Sequence, residues 1–248
     1  MKVLGIDIGG SGIKSAIVET AKGKLLTERH RIETPKGAPK EGVRNALIDT
    51  IKHFNWDGPV GCGFPAVVLD NKILTASNIE KEWINTDIIQ FFEKKISNPL
   101  YVLNDADAAA LAEMRFGNGK NKNGVILLLT VGTGIGSALF CNKILLPNLE
   151  LGQLLLKNGM IAEKYCSAHS REVEQLKLKE WAERFNKYLM LLESYINPDT
   201  IIIGGGISRK FEKFAPHLTT RAEVLPALFE NNAGITGAAL YASKMSKK

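Results

Sequence analysis

Val3-Leu4-Gly5-Ile6-Asp7-Ile8-Gly9-Gly10-Ser11-Gly12 and Val125-Ile126-Leu127-Leu128-Leu129-Thr130-Val131-Gly132-Thr133-Gly134-Ile135-Gly136 are two apolar, strand-like runs that end in glycine loops, about half a chain apart. Glycine admits a positive φ that turns backbone N–H groups toward an anion, and the Ser and Thr hydroxyls add donors, so each loop suits a phosphate. Each also suits a tight turn between antiparallel strands. The pairing favours a phosphate held between two halves of a duplicated α/β unit with a central cleft.

Around the first loop, Lys2 to Ile8, Ile13 to Glu19 and Lys24 to Arg31 read as an antiparallel meander. A helix is expected from Lys40 to Phe54, then short strands at Val60 to Phe64 and Leu100 to Leu103. From Asp105 to Phe116, Ala108, Ala109, Leu111, Ala112 and Phe116 recur at helical spacing, and Gly117-Asn118-Gly119 is a plausible stop. The second half repeats the plan. Strand Val125 to Val131, a glycine turn and strand Ser137 to Phe140 precede a long helix through Arg171 to Tyr195, strand Thr200 to Ile203 and Gly204-Gly205-Gly206. The division expected is a smaller domain over residues 1–116, joined by a C-terminal helix in 234–248, and a larger one over 117–233.

With 45% apolar residues in 248, the chain has material for a real core. No apolar run reaches the roughly 18 residues that span a membrane, and Met1-Lys2-Val3-Leu4 enters a strand without the zones of a signal peptide. A cytoplasmic protein is therefore expected. Cys62, Cys141 and Cys166 are scattered and odd in number, which suits reduced thiols rather than disulfides or zinc ligands. A net charge of +6 favours anionic partners, but the lysines and arginines are spread and no basic helix interleaves aromatics, so neither nucleic acid nor membrane is expected as a partner.

Asp105, at a strand end before a helix, is placed for a general base and equally for an N-cap; Asn104 and Asp107 compete for the cap. Asp7, between apolar neighbours at the end of the first strand, needs a partner, and magnesium carried by a phosphate would supply one. Lys14 reads either as a cation near the same phosphates or as a solvated strand residue. Glu150, Gln153 and Glu163 suit a polyhydroxyl ligand or an exposed loop, and Asn78 before Trp83 is similarly open. His30, His53, His169 and His217 share no ligand or triad spacing.

Six segments carry a family likeness: Gly5-Ile6-Asp7-Ile8-Gly9-Gly10-Ser11-Gly12-Ile13-Lys14, Gly63-Phe64-Pro65-Ala66, Asn104-Asp105-Ala106-Asp107, Thr130-Val131-Gly132-Thr133-Gly134-Ile135-Gly136, Pro147-Asn148-Leu149-Glu150-Leu151-Gly152 and Ile203-Gly204-Gly205-Gly206. In this order they resemble the ROK sugar-kinase family, its polyphosphate/ATP glucokinase branch in particular, within the actin-like (ribonuclease H-like) ATPase superfamily. The resemblance implies phosphoryl transfer from inorganic polyphosphate or ATP, with Mg2+, to the 6-hydroxyl of glucose or a related hexose, and a homodimer. It implies Asp105 as catalytic base and Asn78, Asn104, Glu150, Gln153 and Glu163 at the sugar. Asp7, Gly9, Gly10, Ser11, Gly12, Lys14, Thr133 and Gly134 would serve the phosphate and magnesium region, with Gly204, Gly205 and Gly206 on the nucleoside side. Two positions depart from the pattern: Gln153 stands where the family usually has His, and Ser15 where Gly is common. The family's zinc-binding cysteine cluster is missing, so no structural zinc is expected. A non-catalytic sugar sensor of the same family is the competing reading, separated from a kinase by the absence of turnover.

Overall fold

The structure, a computed structural model, describes residues 1–77, 79–157 and 159–247. It divides into two compact units, one of Met1–Ala112 with Asn232–Lys248 and one of Glu113–Asn231.

In the first unit, β1 (Lys2–Ile8) and β2 (Ile13–Glu19) form a hairpin in which Ile8 faces Ile13, so the loop is residues 9–12. The expected third strand is split into β3 (Lys24–Leu25) and β4 (His30–Ile32). At the break, Thr27 Oγ1 accepts the Ile17 N–H at 3.1 Å, and this side-chain bond takes the place of a ladder bond. Helix α1 (Lys40–His53) buries Val43, Ala46, Leu47 and Thr50. After it come β5 (Val60–Phe64), the small ribbon β6 (Val68–Leu69) with β7 (Lys72–Ile73), α2 (Ile88–Glu93), β8 (Leu100–Asn104) and α3 (Asp105–Phe116). The sheet runs β3-β2-β1-β5-β8, with β4 also on β2; β1, β5 and β8 are parallel.

The second unit repeats this order. Strands β9 (Val125–Val131), β10 (Ile135–Cys141) and β11 (Ile144–Leu146) form the meander, and β12 (Thr200–Gly204) with β13 (Glu223–Pro226) extend it in parallel on the other side of β9. The expected long helix is not continuous. Beyond α4 (Ala162–Cys166) it is α5 (Ala168–Val173) and α6 (Leu178–Ile196), parted where Gln175 takes φ 53°. Glu180 restarts the helix by accepting the Lys177 N–H at 2.8 Å. Trp181, Phe185, Leu189 and Leu192 on α6 are fully buried, with the Trp181 and Phe185 rings stacked at 4.9 Å, so this face is the core of its own unit. Helix α7 (Phe211–Phe214) adds Phe214 to the same cluster.

The last helix, α8 (Ala233–Met245), returns to the first unit and lies on β1, β5 and β8. Its seat is made of glycines: a Cβ on Gly5 would overlap the Ile235 carbonyl oxygen, one on Gly61 that of Ala238, and one on Gly237 that of Ala108. Backbone thus packs on backbone, and Val3, Ala16, Val18, Ile235, Ala239 and Ala242 close over the joint. Among the described residues no helix is long and apolar enough to cross a membrane.

The boundary between the units falls inside α3, after Ala112, rather than after Phe116. The end of α3 is bound to the segment after β13. Glu113 Oε1 accepts the Phe229 N–H at 2.6 Å, Asn118 donates to the Pro226 carbonyl at 2.8 Å, and the Phe116 and Phe229 rings lie 6.0 Å apart.

Candidate active site

Parallel pairing sets Asp7 beside Gly63 and Phe64 beside Asn104, which lines up the carboxyl ends of β1, β5 and β8. In open α/β sheets such ends are where ligands bind. Gly63 has no side chain to separate the neighbours: a Cβ there would stand 3.5 Å from Asp105 Cα and 3.8 Å from Asp7 Oδ1.

At the start of α3 the side chains of Asn104 and Asp105 both reach the first turn. Asn104, buried, is the cap. Its Oδ1 accepts the Ala106 N–H at 2.9 Å and the Asp107 N–H at 3.1 Å, while its amide donates to the Ala66 carbonyl at 3.1 Å. Asp105, half-buried, accepts the Ala106 N–H at 2.8 Å.

Asp7 finds its partner within the chain. Opposite it in the hairpin is Lys14, whose Nζ stands 3.7 Å from Oδ2. Helix α8 also begins here, since a Cβ on Gly234 would stand 2.6 Å from Asp7 Oδ1, and the positive end of its dipole favours the anion. Burial nevertheless pushes the Asp7 carboxyl above its usual range, with Lys14 pulling it back. Among the described residues no three His, Cys, Asp or Glu side chains gather as a metal site. One carboxylate at the strand end suits magnesium that arrives on the donor's phosphates, which needs few protein ligands.

The glycine loops work differently from the expectation. Neither Gly9, Gly10 and Gly12 nor Gly132 and Gly134 take a positive φ. They leave room instead. A Cβ on Gly12 would meet the Arg31 guanidinium at 2.6 Å, whereas Gly10 and Gly132 face open space. Arg31, from β4, also donates to the Ser11 carbonyl at 2.8 Å and brings a cation to the first loop. The left-handed residue is Gly205, at φ 79°, where any Cβ would strike the Val131 backbone.

In the second unit, Glu150 and Gln153 share one turn, in which Gly152 lies against the Ile135 carbonyl with no space for a Cβ. Glu163, from α4, accepts the Ile135 N–H at 3.4 Å. The Glu150 carboxyl is raised, first by burial and second by the charge of Glu163. The three sugar candidates of this unit thus gather at the start of β10. Of the two others, Asn104 has both its side-chain oxygen and its amide bonded within the first unit, and Asn78 lies outside the described residues.

Beside the second loop is a cavity of about 300 Å³, lined by Gly132 and Thr133, by His169, Arg171 and Glu172 of α5, and by Gly206, Ile207 and Lys210. The His169 N–H, bonded to the Gly132 carbonyl at 3.1 Å, draws α5 to the loop. Thr133 and Gly206 were expected here; Arg171 and Lys210 were not, nor was Arg31 at the first loop. No motif or period marks these cations, and only the topology brings them to the loops.

Twice-repeated strand order, with hairpin loops at corresponding places, is the actin-like ATPase fold. The chain belongs to the ROK family, whose profile residues 3–147 match. It is 42% identical over 237 residues to the polyphosphate glucokinase of Mycobacterium tuberculosis, covering 95% of this chain and 89% of that one. It superposes with a TM-score of 0.94 and 39% identity on the inorganic polyphosphate/ATP-glucomannokinase of Arthrobacter sp. strain KM, covering 98% and 99%. A ROK family glucokinase from Streptomyces griseus, crystallised with glucose and AMPPNP, shares the fold at a TM-score of 0.83 and 24% identity, covering 98% and 100%.

Proposed function

We propose that this protein is a sugar kinase that transfers a phosphoryl group from inorganic polyphosphate or ATP to the 6-hydroxyl of glucose, with Asp105 as general base. The observation that carries this reading is the likeness, over nearly the whole chain, to polyphosphate glucokinases. Asp105 takes the proton of the sugar hydroxyl as its oxygen bonds to the terminal phosphorus. The bridging P–O bond then breaks, and the shortened polyphosphate or ADP leaves with the electron pair. Asn104 is a positioning residue, because its three hydrogen bonds fix the helix start that carries the base.

In the first unit, Asp7, Lys14 and the loop of Gly9, Gly10, Ser11 and Gly12 serve the phosphates; in the second, Thr133 and Gly134 do, with Gly204 to Gly206 on the nucleoside side. Glu150, Gln153 and Glu163 accept and donate to sugar hydroxyls, and Asn78 belongs to the same set. Magnesium on the donor, next to Asp7, supplies charge neutralisation when bound. Gln153 in place of an imidazole keeps a donor and an acceptor, so a related hexose is an alternative acceptor. A cytoplasmic homodimer is part of the same reading, and sedimentation velocity measures the dimer.

The test is formation of glucose 6-phosphate by the purified protein with magnesium, comparing polyphosphate with ATP, and Asp105→Asn as control. Turnover with at least one donor, lost in the variant, is the expected result. No turnover on glucose or any other hexose overturns the reading in favour of a sensor.

A further inference from the structure

Glycine loops that hold anions commonly aim their N–H groups through positive φ, and the loop of residues 9–12 has no such residue. Its carbonyls show what sets the peptide planes instead. Thr34 Oγ1 donates to the Gly9 carbonyl at 2.5 Å, and the Arg31 guanidinium donates to the Ser11 carbonyl at 2.8 Å. Both donors come from one short stretch, β4 and the two residues that follow it.

In a trans peptide the C=O of one residue and the N–H of the next point in opposite directions. Holding the Gly9 carbonyl toward Thr34 therefore turns the Gly10 N–H away from it. Holding the Ser11 carbonyl toward Arg31 does the same for the Gly12 N–H. The bond that would close a β-turn here, from the Gly12 N–H to the Gly9 carbonyl, is not made, because that carbonyl serves Thr34. The ends of the loop are tied only by the Gly9 N–H on the Gly12 carbonyl, at 3.1 Å. Among the described residues, the N–H groups of Gly10, Ser11 and Gly12 thus bond no protein acceptor. The second loop uses the same device with another donor, since the His169 N–H takes the Gly132 carbonyl at 3.1 Å.

We infer that Arg31 and Thr34 are positioning residues of the first loop: by capturing two of its carbonyls they aim the Gly10 and Gly12 N–H groups at a phosphate. The role asks for no contact between either side chain and the phosphate. The inference rests on the kinase reading for the place of that phosphate in the reaction, but the binding it describes is measurable without turnover.

The experiment is calorimetric titration of the intact protein with inorganic tripolyphosphate and magnesium, together with the amide signals of Gly10 and Gly12 in isotope-labelled protein. Thr34→Val keeps the side-chain shape and loses the donor. The freed Gly9 carbonyl then closes on the Gly12 N–H and takes it from the phosphate. Tripolyphosphate should weaken about fivefold or more, equally at low and high salt, because no charge has been removed. Thr34→Ser restores the donor and should bind within about twofold of the parent. Arg31→Gln should weaken tripolyphosphate as well, and glucose affinity should be unchanged in all three variants. The two amide signals should respond to tripolyphosphate in the parent and in Thr34→Ser, and lose that response in Thr34→Val. Where turnover is measured, the donor KM should rise in Thr34→Val while the glucose KM stays the same.

Tripolyphosphate binding that is absent from the parent, or as tight in Thr34→Val as in the parent, overturns the inference. So does a loss that Thr34→Ser does not repair, or one matched by an equal loss of glucose affinity, because Thr34 would then support the fold at large. The expected pattern without any hexose phosphate being formed upholds the positioning role and defeats only the kinase reading.

Discussion

Asn104 and Asp105 are adjacent, polar and at one strand end; the structure makes Asn104 the cap, and the base is the role proposed for Asp105. Replacing Asn104 with Ala removes the cap of α3 and leaves the Ala66 carbonyl buried without its donor, a loss of about 1–3 kcal/mol. Urea unfolding should show it. Asp105→Asn keeps an oxygen for the Ala106 N–H, so its stability should stay close to that of the parent while kcat falls about 10²- to 10⁴-fold. If Asp105→Asn instead matches Asn104→Ala in stability and keeps its rate, Asp105 serves the helix start and is not the base. From the sequence, the candidates for the cap at this junction were visible and the choice of Asn104 was not, since both residue types cap helices. Glu150 and Glu163 raise a related question of charge. With the Glu150 carboxyl raised by burial and by Glu163, the ionised form is the costly one. Its contribution to stability is therefore present below the ordinary glutamate range and lost as pH rises through the elevated value. Glu163→Gln should be progressively more stable than the parent as pH rises from the ordinary glutamate range through the raised Glu150 value, because the second negative charge is gone. Denaturant midpoints at the two ends of that interval test it, and a difference independent of pH would exclude the coupling.

At the scale of elements, β1, β2, β5, β8, β9, β10 and β12 with α1, α3 and α8 were legible because their apolar periods are strong and their ends are marked by polar or glycine residues, whereas the short β6, β7, β11 and β13 were not. The failures lie where side chains override the period. Thr27 breaks a strand by capping the Ile17 N–H, and Glu180 restarts a helix that the pattern runs through. The seat of α8 was not legible either, because a glycine in a strand looks the same whether it forms a bulge or admits a helix. Gly5 and Gly61 do the second, and Gly237 on the helix itself admits the Ala108 carbonyl of α3. Gly237→Ala should therefore be far worse than the usual benefit of alanine in a helix. Its methyl overlaps the Ala108 carbonyl of α3, and rigid backbone on both sides leaves no rotamer to relieve it. A destabilisation of about 3 kcal/mol or more, read from thermal melting, is expected. Gly10→Ala, in open space, should shift the midpoint little, so a similar loss at both positions would mean that space is not what the glycines preserve.

At the scale of the whole molecule, the chain leaves its first unit after Ala112 and re-enters it at Asn232, so that unit cannot be completed until the last helix is made. The second unit is continuous from Glu113 to Asn231 and contains its own cluster around Trp181, Phe185 and Phe214. Deleting residues 232–248 removes Ile235, Ala238, Ala239 and Ala242 from the faces of β1, β5 and β8, and takes Gly234 away from Asp7. A bond from the end of β2 goes with them, where the Thr20 hydroxyl donates to Ser243 at 3.2 Å. Uncovering that apolar surface exceeds the few kcal/mol by which a domain is stable. The truncated protein should lose amide protection throughout β1, β5 and β8 while β9, β12 and α6 retain theirs, and phosphoryl transfer should vanish although Asp105 is still in the chain. Hydrogen exchange read peptide by peptide makes the comparison. Uniform loss would mean that the second unit depends on the first, and retained protection in β1 would mean that α8 is dispensable to it.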